Sequence, residues 1–359
     1  MSGSCNVISV KINKCKAYKQ KRFFSDCQLI FRKNSIEGRF LRQFPKKSCF
    51  ARLYLHNVIL CKMATLFIDI GSNSIKSLLA KFEGGKVLAI AECAENRRIS
   101  SAEGLKPGAA GIICGAVGSL ASFAKSKCEK FDIFCFGTSA LGDSPAAKEV
   151  LKDLEGRGVK VRALSGEEEA RLSFEGAMLD PFLKISPADS LVYADLGGGS
   201  MEFVVKQGGK ISNIKSLPLG AVRLTNAFMT NGPLDRAGLC ARCKELLSQI
   251  PAPEKPFKLV VAGGAVSAAR FILGGGKMSE RRRLGAADFL GVLNTAETLG
   301  AEGLEKKFGT PKNRADILPA AFLCLIEAIK HFGAEYLVHT QYSLRYGVAS
   351  SYFSGRISY

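Results

Sequence analysis

The sequence has 359 residues, of which 47% are hydrophobic, and a formal net charge of +19. This length suits about two domains, and the sequence has no apolar run of the ~18 residues that a membrane-spanning helix needs. Most of the positive charge lies in residues 1–62, which hold 14 Lys or Arg and 2 Asp or Glu. Because the charge is concentrated there and the chain shows no nucleic-acid-binding motif, neither a nucleic acid nor a membrane is expected as a partner.

Residues 1–62 are expected to be a basic N-terminal extension outside the fold. They show no sustained helical or strand periodicity, and they hold 5 of the 12 cysteines. Their composition superficially resembles a transit peptide, but we favour an extension upstream of a folded protein that opens at Met63. The CxxC pair Cys240 and Cys243 has no second pair and no nearby His, so we interpret it as two thiols in a cytoplasmic protein.

The first folded segment is an apolar strand that ends in an Asp-containing turn. Residues 64–71 form an apolar run that closes on Asp69 and Gly71. The following residues predict a turn and then two more strands joined by a Gly-Gly hairpin, over 72–74, 75–80 and 86–91.

The same pattern returns later in the chain. Residues 191–197 are again a strand, with Asp195 two residues before Gly197, and a turn and two further strands follow, over 198–200, 201–206 and from 210 onward. In both copies a glycine stands two residues after the Asp and a serine five residues after it. Such an internal repeat predicts two similar α/β domains that face each other across a cleft.

Alternating strands and helices between and after these copies also indicate an α/β fold. We predict helices over 108–124, 146–154, 234–247, 265–273 and 317–332 with a further helix from Ser165, and strands over 133–138, 159–164, 259–262 and 336–339. The expected organisation is a first domain over 63–172 and a second over 173–350, with the last helix packing back on the first domain.

Each Asp-x-Gly turn has the composition of a phosphate-binding loop. Successive backbone N–H groups in a Gly/Ser turn point into one concavity that accepts an anion, and glycine lets the backbone approach a ligand closely. The Asp at the strand end can hold a divalent ion beside that concavity. One such turn also fits an ordinary hairpin, but two in matching context favour phosphate chemistry in the cleft.

Several stretches together resemble the Ppx/GppA family of exopolyphosphatases and guanosine pentaphosphate phosphohydrolases. The two Asp-containing turns are similar to the family's phosphate loops, and residues 165–171 (SGEEEAR) are similar to its catalytic segment. Residues 216–224 and 314–320 resemble further family stretches, and the resemblance runs in order from about Ala64 to Ala349. It implies two actin-like (ribonuclease H-like) domains and, since no His-Asp signature is seen, the short two-domain form of the family.

By this resemblance the catalytic base is Glu169, which would deprotonate an attacking water. The residues themselves support this choice among three adjacent glutamates. Glu168 stands in a capping-box position after Ser165, and Glu167 favourably meets the helix dipole in the first turn, whereas Glu169 has no such local explanation. A solvated first-turn acid is the alternative interpretation.

The resemblance also implies the remaining site residues. Phosphate oxygens would be bound by backbone amides, hydroxyls and a cation, at Gly71, Ser72, Asn73, Ser74, Lys76, Gly197, Gly198, Gly199 and Ser200. A Mg²⁺ or another divalent cation would be held by Asp69, Asp195 and Glu202. The implied activity is hydrolysis of terminal phosphoanhydride bonds, with release of orthophosphate from inorganic polyphosphate.

Some positions depart from the family pattern. Gly142 stands where the family usually has an Arg that would bind phosphate, Ala265 stands where Thr is usual, and Gln341 and Tyr346 replace acidic residues. These changes keep open a weakly active regulator that binds alarmone or polyphosphate. A second alternative is that the substrate is guanosine pentaphosphate of the stringent response, whereas an actin-like kinase or chaperone ATPase is disfavoured by the segment around Glu169.

Three smaller expectations complete the analysis. The basic run Arg281 to Arg283 would either contact a long polyanion or lie in a solvated surface loop, and we favour the loop. A cleft between two domains predicts closure on ligand, with hinges near 173–187 and the last helix. A homodimer is among the assemblies that the sequence leaves open.

Overall fold

Two mixed β-sheets carry the fold. The structure, a computed structural model, describes residues 64–101, 104–138, 141–142, 145–229 and 232–359, all within one compact unit. The predicted extension over 1–62 and the expected opening at Met63 lie outside these residues. Within the described ranges, no helix combines the length and the apolarity that crossing a bilayer requires.

The first half contains a five-stranded sheet with the order β3-β2-β1-β6-β7. Strands β1, β2 and β3 are antiparallel neighbours, whereas β6 and β7 run parallel to β1. In chain order the elements are β1 (Ala64–Ile70), β2 (Ile75–Glu83), β3 (Lys86–Glu95), β4 (Ser100–Ser101), β5 (Gly104–Leu105), α1 (Ala109–Lys125), β6 (Phe131–Gly137), α2 (Pro145–Gly156), β7 (Val161–Ala163) and α3 (Gly166–Ala177).

The second half contains a six-stranded sheet with the order β10-β9-β8-β11-β13-β12. Here β8, β9 and β10 are antiparallel, β11 and β13 run parallel to β8, and β12 closes the edge as an antiparallel strand. The elements are β8 (Leu191–Leu196), β9 (Met201–Gln207), β10 (Lys210–Leu217), α4 (Ala221–Phe228), α5 (Arg236–Leu247), β11 (Lys258–Gly263), α6 (Gly264–Leu273), β12 (Arg283–Leu284), α7 (Ala286–Phe308), α8 (Lys312–Ala315), α9 (Leu318–Phe332), β13 (Leu337–His339) and α10 (Leu344–Phe353).

The two sheets share one topology. In each, three antiparallel strands are extended by parallel strands on the side of the first strand of the triplet. The first strands, β1 and β8, are buried along nearly their whole length, which accounts for their continuous apolar sequences. The predicted α/β fold class, with two halves of similar topology, is confirmed.

Helices α3 and α10 each pack on the sheet of the other half. The α3 residue Phe174 packs edge-on against Tyr193 of β8, with ring centroids 6.1 Å apart. The α10 residue Val348 belongs to the apolar cluster around Phe67 of β1. The predicted limit between residues 172 and 173 therefore falls inside α3, whose Leu172 packs in the cluster around Phe67 and whose Phe174 packs on the second sheet.

The crossing of α3 and α10 depends on two glycines. A Cβ on Gly347 would lie 1.8 Å from the Leu172 carbonyl oxygen, and a Cβ on Gly176 would lie 2.0 Å from the Ser343 carbonyl oxygen. Both distances are far below van der Waals contact, so any side chain here would force the helices apart. Close backbone packing thus fixes how α3 and α10 sit between the sheets.

The strands and helices predicted from the sequence are all present, with ends shifted by a few residues. Seven elements were missed, most of them short or interrupted: β4, β5, β12, α4, α7, α8 and α10. In α7 the backbone leaves the helical conformation at Gly300, where φ is 61°. This break interrupts the helical period on which a sequence-based prediction depends.

Candidate functional site

The two predicted phosphate loops are matching turns that face each other. In the first loop the Gly71 N–H donates to the Ser74 carbonyl at 3.2 Å, and in the second the Gly197 N–H donates to the Ser200 carbonyl at 3.0 Å. A Cβ on Gly198 would lie only 3.2 Å from the Ser72 Cβ. The repeat in the sequence thus forms a pair of opposed loops. The N–H groups of Gly71 and Gly197 each close their own turn.

A cavity of about 440 Å³ lies between these loops. All of the predicted site residues line it: Asp69, Gly71, Ser72, Asn73, Ser74, Lys76, Glu169, Asp195, Gly197, Gly198, Gly199, Ser200 and Glu202. They come from β1, β2, α3, β8, β9 and the two turns. The structure therefore brings residues from both halves into one polar cavity.

Helix α4 holds the second loop in place. The N–H groups of Ala221 and Val222 donate to the carbonyls of Gly197 and Gly198, each at 2.9 Å. A Cβ on Gly220 would lie 2.2 Å from the Gly199 carbonyl carbon, so the backbone approaches the loop as closely as glycine allows. The first turn of α4 therefore fixes the backbone of this loop.

Two carboxylates and an ammonium meet at the cavity floor. Burial raises the pKa of both Asp69 and Asp195, and the Lys76 ammonium opposes that rise in each case. Burial likewise lowers the pKa of Lys76, and Asp69 opposes the fall. The floor thus holds groups whose charges depend on one another, as expected for a site that takes up a charged ligand.

Glu202 differs from the two aspartates in its surroundings. It is 1% exposed, and its carboxyl accepts a hydrogen bond from the Ser216 hydroxyl at 2.9 Å. Burial raises the pKa of Glu202 to about 8, with the Asp195 charge adding to the effect. Glu202 therefore favours its protonated form near neutral pH when no cation is bound.

Glu169 lies in the first turn of α3, buried in the cavity wall. The neighbouring Glu168 N–H donates to the Ser165 hydroxyl at 3.2 Å, which caps the helix. The Glu168 carboxylate forms an ion pair with Arg162 at 2.6 Å, while Glu167 is exposed. Of these three glutamates, Glu169 is the one that reaches the cavity.

Two cations in the cavity wall were not among the predicted site residues. Arg345 on α10 donates to a Glu92 carboxylate oxygen at 2.7 Å, and the Tyr346 hydroxyl donates to the other oxygen at 2.7 Å. Arg314 of α8 donates to the Gly264 carbonyl at 3.0 Å. Arg314 opens one of the stretches that resemble the family, but no local spacing marks either arginine, so far along the chain, as a neighbour of the loops.

The positions that depart from the family pattern differ in how close they lie to the cavity. Gln341 lies in the cavity wall, and Tyr346 supports Glu92 behind it. Gly142 is not among the lining residues. Among the described residues, the Lys and Arg side chains that line the cavity are Lys76, Arg314 and Arg345.

Arg98 links the first loop to the second half of the molecule. Its Nε donates to the Asn73 side-chain oxygen at 2.8 Å. Its two Nη atoms donate to both carboxylate oxygens of Asp316, at 3.0 and 2.9 Å. The side chain is largely buried, with 18% exposed, so this bidentate pair joins the loop to the segment after α8.

The basic run 281–283 is engaged in contacts within the protein. Arg282 pairs with Asp180 at 3.0 Å and lies over the Phe182 ring, and Arg283 lies over the Tyr336 ring. Cys240 and Cys243 are free thiols on α5. Among the described residues, no group of three or more His, Cys, Asp or Glu is arranged to hold a metal ion.

Curated proteins with similar sequences cover about half of the chain. Exopolyphosphatase 1 of Mycobacterium tuberculosis is 31% identical over 180 residues, which are 47% of this chain and 50% of that protein. An uncharacterised protein of Streptomyces coelicolor is 33% identical over 177 residues, 47% of this chain and 51% of the relative. The chain thus spans about half the length of these curated relatives.

Solved structures cover nearly all of the described fold. The Ppx/GppA enzyme of Aquifex aeolicus aligns with a TM-score of 0.63 and 22% identity, over 80% of this chain and 99% of that chain. An exopolyphosphatase from Cytophaga hutchinsonii aligns with a TM-score of 0.69 and 17% identity, over 82% and 98%. At these identities the likeness establishes the fold. The model of the Ppx/GppA phosphatase family matches residues 113–354, and the chain belongs to that family.

Proposed function

We propose that this protein hydrolyses terminal phosphoanhydride bonds and releases orthophosphate from inorganic polyphosphate. One observation carries the proposal: two Gly/Ser loops from opposite sheets and the buried Glu169 line the same cavity. Opposed loops of this kind can hold a terminal phosphoryl group from two sides. The Glu169 carboxylate in the same wall can accept a proton from the attacking water, which is the other requirement of hydrolysis.

Phosphate oxygens are bound by the loops and the cations. Because the Gly71 and Gly197 N–H groups close their own turns, we assign the ligand-facing amides to the residues that follow, at 72–74 and 198–200. The hydroxyls of Ser74 and Ser200 add two further donors. Lys76 and Arg345 supply positive charge. In the family an Arg at the position of Gly142 would provide such charge, and these two cations replace it here.

Glu169 acts as the base in the chemical step. Its carboxylate takes a proton from a water, and the water oxygen forms a bond to the terminal phosphorus while the bridging P–O bond breaks. The terminal group leaves as orthophosphate, and the shortened chain keeps the bridging oxygen. Since Glu169 is 9% exposed, bulk water is largely excluded from its carboxylate.

The donor set also fits a divalent cation. Mg²⁺ usually keeps several waters and binds one or two carboxylates together with substrate phosphates, and Asp69 and Asp195 offer two buried carboxylates at the cavity floor. The three predicted ligands are not arranged as a ready-made metal site, so the two aspartates would bind the ion together with water and phosphate oxygens, and Glu202 would join them only once deprotonated. When bound, the ion would neutralise phosphoryl charge.

Guanosine pentaphosphate is the second candidate substrate. Beside the cations, the cavity has a neutral polar wall formed by Ser267, His339, Thr340 and Gln341. Of these, Thr340 and Gln341 suit a nucleoside better than a further row of phosphates. The same hydrolytic step would then act on the 5′ terminal phosphate.

The test is phosphate release by the full chain with Mg²⁺, with long polyphosphate, guanosine pentaphosphate and ATP offered in parallel. Glu169→Gln should lower kcat by about 10²- to 10⁴-fold, as loss of a general base does. The control is Glu167→Gln, in the same helical turn but exposed, which should leave kcat unchanged. Tight binding of one substrate without release from any would instead support the regulator.

A further inference from the structure

Arg270, His339 and Ser267 form a hydrogen-bonded row behind the cavity wall of the second half. Arg270 Nη1 lies 2.9 Å from His339 Nδ1, and His339 Nε2 lies 3.4 Å from the Ser267 hydroxyl. Arg270 and His339 are 4% and 1% exposed. Ser267 is partly exposed and, like His339, lines the cavity.

The direction of this row follows from the chemistry of arginine. A guanidinium has N–H donors and no acceptor, so the contact with Arg270 requires His339 Nδ1 to accept. A neutral imidazole that accepts at Nδ1 carries its proton on Nε2. The Nε2–H group therefore faces the Ser267 oxygen, to which it donates a long hydrogen bond at 3.4 Å.

Arg270 is itself fixed by its other contacts. Its Nε donates to the Arg281 carbonyl at 3.0 Å, and its Nη2 donates to the Ser279 carbonyl. Burial lowers the pKa of His339 to about 3, and the charges of Arg270 and Arg282 add to the effect. The imidazole is thus neutral at physiological pH, in agreement with its geometry.

The last group of the row is the Ser267 hydroxyl, whose hydrogen is free to point into the cavity. Because the Ser267 oxygen accepts from His339, its own hydrogen is directed elsewhere. The carbonyl of Gly263, one helical turn back, lies 3.5 Å from this oxygen, which is at the outer limit for a hydrogen bond. An anionic oxygen in the cavity would be the stronger acceptor.

We propose that Arg270 and His339 orient the Ser267 hydroxyl as a hydrogen-bond donor to a phosphate oxygen of the bound ligand. Ser267 is then a binding residue, and His339 and Arg270 are positioning residues that act through it. The inference rests on the proposed function in one respect, namely that the ligand carries a phosphoanhydride group.

The binding test uses imidodiphosphate, whose P–N–P bridge resists hydrolysis, titrated calorimetrically into the full chain with Mg²⁺. Ser267→Ala should raise Kd about tenfold, as expected for loss of a hydrogen bond to a charged group. The control Ser119→Ala removes an exposed helical serine that also bonds to the carbonyl one turn back. This control should leave Kd unchanged.

Coupling between the residues distinguishes orientation from simple support of the fold. His339→Asn keeps an acceptor for Arg270 but lacks the Nε2 donor, and it should raise Kd about three- to tenfold. The double variant should bind no more weakly than Ser267→Ala, because His339 acts through that hydroxyl. Effects that multiply would overturn the assignment of His339, and if His339→Asn does not fold, Ser267→Ala and the spectroscopic test below decide.

The tautomer is directly measurable because the chain has 3 histidines. Nitrogen-15 NMR should show one neutral imidazole with its proton on Nε2 that does not titrate between pH 5 and 8, and His339→Asn should remove this signal. A proton on Nδ1 would overturn the proposal. Equal Kd values for native protein and Ser267→Ala would also overturn it while leaving the proposed function intact, whereas failure of the native protein to bind would count against both.

Discussion

Lys76 and Glu202 occupy equivalent positions in the two halves of the molecule. Lys76 of β2 lies opposite Asp69 of β1, and Glu202 of β9 lies opposite Asp195 of β8. The repeat therefore sets a cation beside one loop and an acid beside the other. Burial disfavours charge at both positions, since the pKa of Lys76 falls and that of Glu202 rises to about 8.

The first prediction concerns the ammonium of Lys76. Lys76→Met should raise KM for tripolyphosphate about tenfold or more, because a charged donor to phosphate is lost next to two buried carboxylates. Steady-state phosphate release measures this. Lys86→Met, at the exposed start of β3, is the matched control, and a similar rise in KM for both variants would contradict the prediction.

The sequence predicted this part of the site well because its information is local. An Asp at the strand end, a glycine two residues later and a serine five residues later locate each loop, and the resemblance to the family then implies which of its residues bind the ligand. Arg314 and Arg345 could not be named in advance, because they reach the cavity through the packing of α8 and α10. No local pattern shows which side chain of a distant helix faces a loop, just as none predicted the break at Gly300.

The second prediction tests Arg345 as a phosphate-binding cation. Arg345→Lys keeps the charge but loses the planar fork that Glu92 holds at 2.7 Å, so KM should rise about tenfold while kcat changes little. Arg356→Lys is the control, because Arg356 also pairs with a glutamate but lies beyond the end of α10 and is half exposed. A fall in kcat with unchanged KM would instead place Arg345 in the chemical step.

The third prediction concerns the link made by Arg98 between Asn73 and Asp316. A double-mutant cycle with Arg98→Ala and Asp316→Ala should give a coupling free energy of about 1 kcal/mol, since the pair is bidentate but partly exposed. Amide hydrogen exchange at 72–74 should accelerate in Arg98→Ala because the loop loses its tie to the second half. Unchanged exchange in these amides would show that the loop is held without Arg98.

The fourth prediction is an acid-side loss of stability that originates at His339. Its pKa is lowered to about 3 in the folded protein, whereas an unfolded histidine titrates near its ordinary value of about 6.5. Between these values the unfolded chain binds the extra proton, so the contribution of His339 to stability falls as the pH drops from about 6.5 towards 3. At pH 5 the loss is about 2 kcal/mol relative to neutral pH.

Urea unfolding at pH 7.5 and pH 5 measures this effect. The native protein should lose more stability between the two pH values than His339→Asn does, because asparagine does not titrate. An equal loss in both proteins would mean that His339 does not govern the acid side. That result would also contradict the buried, neutral imidazole on which its contact with Ser267 depends.

The fifth prediction concerns how the crossing of α3 and α10 positions residues of the candidate site. A Cβ on Gly347 would lie 1.8 Å from the Leu172 carbonyl oxygen, so Gly347→Ala must separate the helices and should destabilise the protein by about 3 kcal/mol. Gly118→Ala on α1, where a Cβ has no atom within 4 Å, should instead be neutral or stabilising by about 0.5–1 kcal/mol. Glu169 is carried by α3 and Arg345 by α10, so even the folded fraction of Gly347→Ala should show a lower kcat/KM than the native protein. A folded Gly347→Ala protein with native kcat/KM would mean that the cavity tolerates movement of both helices.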